Sequence, residues 1–460
     1  MPRLRTVYVC SSCGAQHPKW GGQCTSCGAW NTLVEDVVGN DSPTVSKTVA
    51  VSRALNASSE ALPISQVSQQ SASAHPTGVG EFDRVLDGGL VPGSVTLVSG
   101  EPGIGKSTLL LQIASAWSGR SLYVSAEESA QQVRLRAERL GALSEEMFLV
   151  SAMSLGDIVA HIDKVRPTLV VVDSVQTIAD ETVESAPGSV TQVRECAFRL
   201  VQEAKARDIA VIIVGHVTKD GNIAGPRLLE HVVDTVVSFE GDRLHPLRMV
   251  RAIKHRFGTT NELGLFEMTE NGLVGGPDAS NMLLANRQIG VAGSVVVPTI
   301  DGQRPLLVEV QALTTKVGMG FTPRRSAQGI ESSRLAMLLA VLERRTGTSF
   351  GSLEVYASVV GGVKLTEPSS DLGLCIALVS AATNTPTPSD LVVCGEVGLG
   401  GELRPVNKIE QRIAEADKLG FSTIHISRFQ QSQVPAGTGI RVIASGRLDE
   451  VIASEINRMG

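Results

Sequence analysis

The chain of 460 residues has few aromatic side chains, 3% of the total, and only seven cysteines. It has no uninterrupted apolar run of the ~18 residues that a membrane span needs, and its start, MPRLRTVYVC, lacks the apolar core of a signal peptide. These absences predict a cytoplasmic protein without a membrane partner. With 42% hydrophobic residues, the chain can still build large cores from Leu, Val, Ile and Ala, which excludes global disorder.

Positive charge is also in short supply, because 41 Lys and Arg residues are outnumbered by 47 Asp and Glu residues, for a net charge of -6. This balance argues against nucleic-acid binding through bulk charge. An acidic protein can still bind nucleic-acid phosphates through local basic patches, so the net charge alone does not exclude nucleic-acid binding. The length predicts two or three domains of the usual size.

Four of the cysteines form two CxxC pairs, Cys10 with Cys13 and Cys24 with Cys27, each followed by glycine. A CxxC turn points two thiolates at one ion, so two such turns supply the four-sulfur shell of structural Zn²⁺. The alternatives are disulfides or a redox CxxC, and a reducing compartment without a thioredoxin-like context disfavours both. The sequence therefore predicts a zinc-ribbon-like module over residues 1–38.

The remaining cysteines, Cys196, Cys375 and Cys394, lie in apolar segments and are predicted to be buried thiols. His17, between the two CxxC pairs, is predicted to be a bystander. Residues 39–76 are rich in Ser, Ala, Gln and Thr and show no sustained apolar periodicity. That composition cannot build a core, so it predicts a flexible linker that tethers the zinc module.

A P-loop follows the linker. A short apolar strand, Val95 to Ser99, runs into GEPGIGKS at 100–107, and an apolar helix comes after it. The glycine-rich turn presents N–H groups to phosphates, the lysine binds the β and γ phosphates, and the hydroxyl binds Mg²⁺. We therefore expect ATP and Mg²⁺ here, with Lys106 catalytic and Ser107 a metal ligand. The predicted nucleotide-binding residues are Gly100, Glu101, Pro102, Gly103, Ile104, Gly105, Lys106, Ser107 and Thr108.

Four further apolar segments follow, at 122–125, 147–152, 168–173 and 210–215, separated by segments of helical periodicity. This alternation predicts an α/β domain with a mostly parallel sheet that helices cover on both faces.

Three carboxylates lie at the expected ends of these strands. Asp173 ends an apolar strand, where it would hold the Mg²⁺ shell through water, and helix capping is the alternative role. Glu127 and Glu128 follow another strand directly, so either could orient or deprotonate the attacking water, unless this is a solvated acidic turn. We favour Glu127.

Three segments resemble one family closely. The segment GVGEFDRVLDGGLVPGS before the P-loop, the carboxylates in YVSAEES and the motif KHRFG at 254–258 resemble the RecA-related core of the RadA (Sms) family of bacterial DNA-repair proteins. That family has Lys-Asn-Arg-Phe-Gly at the last position, and the motif acts on the nucleotide of a neighbouring subunit. Lys254 and Arg256 are kept here, while His255 replaces the asparagine.

The resemblance implies that Lys254 and Arg256 are catalytic in trans. A cationic finger from a neighbour would stabilise the charge that develops on the transferred phosphoryl group and make hydrolysis depend on assembly. A basic surface cluster with no partner is the alternative.

Beyond residue 276 the pattern predicts a second, α+β domain. EPSSDLGLCIALVSA at 367–381 and GEVGLGGELRPVNKIEQRIAEA at 395–416 resemble the catalytic segments of the Lon protease domain. Lys408 matches the catalytic lysine, but Asp371 stands at the position of the serine, and a carboxylate beside an ammonium forms an ion pair and no acyl-enzyme. We therefore predict a peptidase-inactive domain over 276–460, with Ser369 or Ser370 as the alternative nucleophile.

Basic residues recur along the same domain. They predict binding to DNA phosphates, and a solvated surface of mixed charge is the alternative. These residues are Arg304, Lys316, Arg324, Arg325, Arg334, Arg344, Arg345 and Lys364.

The resemblance extends over the whole chain, with an ATPase domain at 77–275 between the linker and the Lon-like domain. It implies an ATP-dependent motor of DNA repair and recombination, a DNA-dependent ATPase of DnaB-like helicase or translocase type. Its implied partners are single-stranded and branched DNA, five further copies in a homo-hexamer, and the recombinase RecA. The competing hypotheses are an ATP-dependent protease of Lon type and a KaiC-like nucleotide-binding regulator.

Overall fold

The computed structural model describes residues 4–10, 15–39, 73–216, 229–241, 246–276, 279–318 and 322–455. These residues fall into two compact units, 1–275 and 276–460, which are described in turn. Cys13 and most of the predicted linker lie outside the described residues. Among the helices within them, none is both long enough and apolar enough to cross a membrane.

The N-terminal residues form a small antiparallel sheet. Its strands are β1 (Leu4–Cys10), β2 (Gln16–His17) and β3 (Leu33–Gly39), in the order β2-β1-β3. Cys10 donates its N–H to the carbonyl of Ala15, and Cys24 donates its N–H to the carbonyl of Ala29, both at 2.9 Å. Cys10 and Cys24 therefore make equivalent backbone hydrogen bonds to the residue five positions later, as expected for a ribbon that presents thiols from two equivalent loops.

The domain that follows the predicted linker is built on one large sheet. The strands are β4 (Val95–Gly100), β5 (Ser121–Ser125), β6 (Met147–Ser151), β7 (Leu169–Asp173), β8 (Ala210–His216), β9 (Thr235–Glu240), β10 (Leu247–His255), β11 (Leu263–Thr269) and β12 (Gly272–Gly275). Their order is β12-β11-β10-β9-β4-β8-β7-β5-β6. From β6 to β9 the neighbours are parallel, and β10 to β12 extend the sheet in antiparallel fashion. The predicted mostly parallel sheet is confirmed.

Helices cover both faces of this sheet. They are α1 (Gly80–Val85), α2 (Lys106–Ala116), α3 (Ala130–Arg139), α4 (Leu155–Val165) and α5 (Val190–Arg207). Strand residues alternate between the two cores: in β7, Val171 packs into the cluster that contains α2, while Val170 and Val172 pack into the cluster that contains α4 and α5. Burial on both faces explains the continuous apolar runs of the parallel strands.

The second unit contains another mixed sheet. Its strands are β13 (Ser294–Asp301), β14 (Arg304–Lys316), β15 (Arg325–Gln328), β16 (Leu353–Val359), β17 (Leu391–Val393), β20 (Thr423–Ser427) and β21 (Arg441–Ser445), and β18 (Glu396–Val397) pairs with β19 (Leu403–Arg404). Its helices are α6 (Ala279–Leu284), α7 (Ser332–Thr346), α8 (Asp371–Thr383), α9 (Ile409–Lys418) and α10 (Leu448–Glu455). Helix α8 is buried around its whole circumference over its first ten residues, which explains its nearly continuous apolar sequence.

The three cysteines outside the ribbon are buried, as predicted. Burial raises the pKa of Cys196 and of Cys394 to about 12, and it raises the pKa of Cys375 well above its usual range. These thiols are therefore protonated at neutral pH and act as small apolar side chains.

Candidate nucleotide and zinc sites

The P-loop connects the end of β4 at Gly100 to the start of α2 at Lys106. Gly103 and Gly105 have φ values of 75° and 118°, in the left-handed region that glycine adopts without strain. The Lys106 side chain folds back into the loop, and its Nζ donates to the carbonyls of Gly100 (2.8 Å) and Glu101 (2.9 Å). The loop thus wraps around its own lysine at the N-terminus of a helix, where phosphates are bound favourably.

Lys106 is only 3% exposed. Burial lowers its pKa to about 8, and the carboxylates of Asp173, Glu127 and Glu101 partly oppose this shift. The structure therefore brings together Lys106, Asp173 and Glu127, three of the predicted catalytic residues.

Asp173 ends β7, next to β5 in the sheet, and its Oδ2 accepts a hydrogen bond from the Tyr123 hydroxyl at 2.8 Å. Burial, with Asp173 beside it, raises the pKa of Tyr123 well above its usual range. The chain continues from Asp173 into a turn, and helix α5 begins only at Val190, which disfavours the helix-capping role. Sequence reasoning missed Tyr123, although a tyrosine inside a buried strand needs a partner for its hydroxyl.

The two neighbouring glutamates point to different partners. Glu127 Oε1 accepts from Ser174 Oγ at 2.6 Å, directly beside Asp173. Glu128 Oε1 instead forms an ion pair with Arg136 Nη2 of α3 at 2.5 Å. Glu127 therefore lies with Asp173 near the P-loop, whereas the charge of Glu128 is neutralised by Arg136 of α3.

Arg248 of β10 is a component of the site that sequence reasoning missed. It is 5% exposed, and its Nε donates to the carbonyl of Ile104, in the P-loop, at 2.9 Å. Its Nη1 donates to the carbonyl of Leu247 at 2.9 Å. A buried guanidinium thus supports the loop and adds positive charge near the phosphate site. The signal was an arginine inside the apolar run LRMV.

The KHRFG motif lies at the other end of the sheet from the P-loop of the same chain. His255 pairs with Thr235 of β9, which pairs with Thr96 near the start of β4, whereas the P-loop leaves β4 at Gly100. At ~3.3 Å per residue, four residues of strand separate these levels by about 13 Å. Lys254 and Arg256 are therefore not brought to Lys106 within one chain.

The two cations of the motif are held by the segment before β9. Lys254 Nζ donates to the carbonyls of Glu230 (2.6 Å) and Val233 (2.7 Å), and burial, with Arg256 beside it, lowers its pKa. Arg256 Nη1 donates to Asp234 Oδ1 at 2.9 Å, while the Arg256 side chain stays 50% exposed. Half of the Arg256 side chain is thus exposed on the surface of the P-loop domain.

His255, which replaces the family asparagine, joins two elements. Its Nε2 lies 3.1 Å from the carbonyl oxygen of Leu86, and its Nδ1 lies 3.0 Å from Thr235 Oγ1. An imidazole reaches both partners in this structure, so the substitution leaves the motif anchored.

The sulfurs of Cys10, Cys24 and Cys27 lie within 4.8 Å of one another, with 3.7 Å between Cys10 and Cys27. Four sulfurs held tetrahedrally at ~2.3 Å from one Zn²⁺ are about 3.8 Å apart, so these thiols fit a shared zinc ion. Cys13, the fourth predicted ligand, lies outside the described residues. His17 Nε2 lies 3.3 Å from Cys24 Sγ, so this histidine lies beside the thiol cluster, and its bystander role stays a prediction.

The expected pairing of Asp371 with Lys408 is wrong. Asp371 is 3% exposed and accepts from Arg334 through both Nε (2.8 Å) and Nη2, and its Oδ2 also accepts from the Val397 N–H at 3.1 Å. Lys408 Nζ instead donates to Gln303 Oε1 at 2.6 Å. The planar guanidinium of Arg334 matches a carboxylate with two parallel bonds, which a lysine cannot do.

Of the two serines before Asp371, Ser369 forms a hydrogen bond with the carboxylate of Glu367. Burial raises the pKa of that carboxyl group, but Arg412 lowers it by more, so the carboxylate is a weak base. Ser369 Oγ lies 3.1 Å from Arg412 Nη1, and Arg412 is fully buried in an ion pair with Glu367. A guanidinium stays protonated and cannot accept the serine proton. Ser370 Oγ donates to the carbonyl of Glu367 at 3.3 Å. The geometry disfavours both serines as nucleophiles.

Three protein families match the chain in this order. Residues 8–35 match a rubredoxin metal binding domain, residues 71–222 match an AAA domain, and residues 276–457 match the Lon protease (S16) C-terminal proteolytic domain. The first two segments contain the thiol cluster and the P-loop described above.

Individual relatives are similar over nearly the full length. DNA repair protein RadA of Bacillus subtilis (strain 168) is 45% identical over 99% of this chain and 100% of its own length. RadA of Mycobacterium tuberculosis (strain H37Rv) is 47% identical over 95% and 91%, and RadA of Streptococcus pyogenes serotype M1 is 42% identical over 98% and 99%. With this identity from end to end, the chain belongs to the RadA family of DNA-repair proteins, and its central domain is an ATPase domain.

Proposed function

We propose that this ATPase is DNA-dependent and drives translocation, strand separation or branch migration on single-stranded and branched DNA during recombinational repair. The observation that carries the proposal is that the P-loop lies at one end of the sheet and Lys254 and Arg256 lie at the other. If both groups act on one nucleotide, a catalytic site is complete only between subunits, as in a motor that assembles on DNA.

The P-loop end supplies binding and water activation. Residues 100–108, with Lys106, would bind the phosphates. Ser107 would bind Mg²⁺ directly and Asp173 would hold it through water, and the ion would neutralise phosphate charge. Glu127 accepts a proton from the attacking water, whose oxygen forms the new bond to the γ-phosphorus as ADP leaves. The Ser174 hydrogen bond orients this carboxylate, and the ion pair of Glu128 with Arg136 makes Glu128 the weaker candidate.

The opposite end supplies the finger. Lys254 and Arg256 meet the charge that develops on the nucleotide of the neighbouring subunit. Because the P-loop and the finger are different surfaces, the interface between subunits is heterologous, and repeated heterologous contacts give a closed ring or an open filament, depending on the rotation between subunits. We infer a homo-hexamer, as the family resemblance implies, with the recombinase RecA as a further partner.

Support for DNA as the polymer comes from the relatives, which are named DNA repair proteins, and from exposed cations on the Lon-like domain. Of the basic residues predicted to bind DNA, Arg334 does not serve this role, because it forms an ion pair with Asp371. Arg304 donates to the carbonyl of Gly276. The exposed members are Lys316, Arg324, Arg325, Arg344, Arg345 and Lys364.

The domain bounds and their roles are part of the proposal: a zinc module at 1–38, a linker at 39–76, the ATPase at 77–275 and a peptidase-inactive Lon-like domain at 276–460. The ion pair of Asp371 with Arg334 and the separate contacts of Lys408 argue against a Lon-type protease. The ribbon and the Lon-like domain argue against a KaiC-like regulator. A protein that repairs bacterial chromosomes works in the cytoplasm.

The test is the rate of ATP hydrolysis by the full chain with and without single-stranded DNA. We expect the DNA to raise the rate and Lys106→Ala to abolish both the basal and the stimulated rate, because the P-loop then lacks its cation. A rate indifferent to single-stranded and branched DNA at low salt would refute DNA dependence. Hydrolysis by Lys106→Ala at the original rate would remove this P-loop from the mechanism.

A further inference from the structure

A cleft of about 470 Å³ lies on one face of the sheet in the second unit. Its volume falls in the roughly 300–1,000 Å³ range of small-ligand sites. Alternate residues of three neighbouring strands line it, and cross-strand pairing places them on the same face of the sheet. These residues are Gln311 and Leu313 of β14, Tyr356 and Ser358 of β16, and Ser326 and Gln328 of β15.

A helix covers one part of this face and leaves the next part open. Leu307 of β14 packs into the apolar cluster that contains Ile409 and Ile413 of α9. Further along the same face of β14, Gln311 is exposed and Leu313 is 63% exposed. Since every second residue of a strand points to the same face, the cleft begins where the cover of α9 ends.

Glu309 lies at the boundary between the covered and the open part. It is 2% exposed, and it lines the cleft. The hydroxyl of Ser294, which is also buried, donates to Glu309 Oε1 at 2.5 Å. Among the described residues, no second hydrogen-bond donor contacts this carboxylate. A buried carboxylate with one hydroxyl partner is poorly solvated, so a ligand that brings further donors would stabilise it.

Arg287 is a nearby cation that does not neutralise Glu309 by direct contact. Its Nη1 donates to the carbonyl of Ser389 at 2.7 Å, and the described part of the chain contains no ion pair between Arg287 and Glu309. Burial lowers the pKa of Arg287, and the charge of Glu309 opposes this shift. The two charges therefore interact at a distance, and the carboxylate keeps a position for a donor from outside.

The charge of the lining selects the ligand. Among the described lining residues, Glu309 is the charged one, so the cleft would repel a phosphate and attract a cation. This surface therefore differs from the basic residues proposed above to bind DNA.

The neutral part of the lining fits a long side chain with a planar end. Val291 and Leu313 supply exposed apolar surface, and Tyr356 is held in place by its hydroxyl, which donates to Glu354 Oε2 at 3.0 Å. The amide oxygen of Gln311 is a further acceptor. A guanidinium has five N–H donors in a planar fork that matches a carboxylate, and its stem packs on apolar surface.

We propose that this cleft binds an arginine side chain of a partner polypeptide, with the guanidinium on Glu309 and the stem against Val291, Leu313 and Tyr356. The Lon-like domain would then be a protein-docking module as well as a peptidase-inactive one. This role is independent of nucleotide and DNA binding, so it can fail without affecting the function proposed above.

Two small probes test the cleft on the full chain. One is Nα-acetyl-arginine N-methylamide, and the other is its citrulline analogue, which has the same length and a planar end but no charge. Saturation-transfer NMR measures the binding of both. We expect the arginine probe to bind at least about tenfold more tightly, because its donors pair with a carboxylate. Equal affinities would overturn the proposal, as would no binding of the arginine probe well above about 1 mM.

Glu309→Gln keeps the shape of the side chain and removes its charge. It should weaken binding of the arginine probe about tenfold and leave the weak binding of the citrulline probe unchanged. Glu410→Gln, which changes an exposed glutamate of α9 outside the cleft, is the matched control and should change neither.

Gln311→Lys is the second variant, because Gln311 is exposed and its replacement carries little risk to folding. The new ammonium would lie beside Glu309 and compete with the probe, so arginine binding should again fall about tenfold. Undiminished arginine binding in both variants would overturn the proposal. Equally tight binding of the corresponding lysine probe would overturn the planar pairing of guanidinium with Glu309.

Discussion

Lys106 is the proposed phosphate-binding cation, and it is also a buried lysine whose pKa is lowered to about 8. These two properties are linked, because burial in the free protein disfavours the charged form that phosphates require. Bound phosphates favour the ammonium form and raise the pKa again. The free P-loop therefore loses its cation as the pH rises above 8, and the nucleotide restores it.

Proton uptake on nucleotide binding tests this property. At pH 9 most of the free protein has a neutral Lys106, so we expect ATP binding to take up nearly one proton, and at pH 7 we expect little uptake by this residue. Binding enthalpies measured in buffers of different ionisation enthalpy give the number of protons. Lys106→Arg, which stays protonated at both values, should show no such uptake at pH 9. Equal uptake by Lys106→Arg at pH 9 would exclude Lys106 as the proton acceptor.

Arg248 is a second residue with a testable role, because its hydrogen bond to Ile104 connects β10 to the P-loop. Arg248→Met keeps the apolar stem and removes the charged donor, which we expect to lower the free energy of unfolding by about 1.5–3 kcal/mol and to weaken ATP binding. Urea unfolding with and without ATP measures both effects. Arg251→Met, on the same strand, is the control for general effects of losing an arginine there. If ATP stabilises Arg248→Met as strongly as it stabilises the original protein, Arg248 does not support the loop.

At the scale of secondary structure, the sequence predicted β4 to β8 because each is a short apolar run between turn signals. Sequence reasoning missed strands β9 to β12, and in β10 the apolar pattern is interrupted by Arg248, Arg251 and Lys254. Their charges are satisfied by contacts with the P-loop, Glu240 and backbone carbonyls, which only the folded chain brings together.

The partner of Asp371 was unpredictable for a related reason. Arg334 is 37 residues away in the chain and reaches Asp371 from α7. Lys408, suggested by its motif, has a left-handed φ of 55° at the start of α9, and its side chain reaches Gln303. A motif identifies which residues correspond between families, but the direction of a side chain depends on backbone conformation and neighbouring elements.

The zinc ribbon is the element whose stability depends most directly on a ligand. Cys24→Ser, or chelation, should release one zinc per chain and unfold residues 4–39, because a three-stranded sheet of this size has little core of its own. The apolar cluster between the ribbon and the ATPase domain contains two residues, Val9 and Val190. Because this contact is small, we expect the core at 73–216 to keep its hydrogen-exchange protection when the ribbon unfolds. Cys196→Ala, which changes a buried thiol of that core, should keep its zinc. Full zinc content in Cys24→Ser would contradict the assigned ligand set.

At the scale of the whole molecule, we propose that the chain carries halves of two different active sites. The carboxyl ends of the parallel strands hold Lys106, Glu127 and Asp173, and the other end of the sheet holds Lys254 and Arg256. An isolated chain therefore binds nucleotide without its finger. Catalysis should depend on assembly, whereas affinity for nucleotide should not.

Arg256→Ala separates these two quantities. It should leave nucleotide binding to its own P-loop nearly intact and reduce turnover by about 10³-fold or more, as expected for a finger that meets transition-state charge. A solvated arginine would change turnover very little.

Mixing two inactive variants measures the claim most directly. Arg256→Ala subunits have an intact P-loop, and Lys106→Ala subunits have an intact finger, so some interfaces of a mixed assembly combine both. The measurement is DNA-stimulated ATP hydrolysis by assemblies shown to contain both variants. We predict that the mixture recovers activity that neither variant has alone. Mixed assemblies that form and stay as inactive as either parent would contradict the action of Arg256 on a neighbouring subunit.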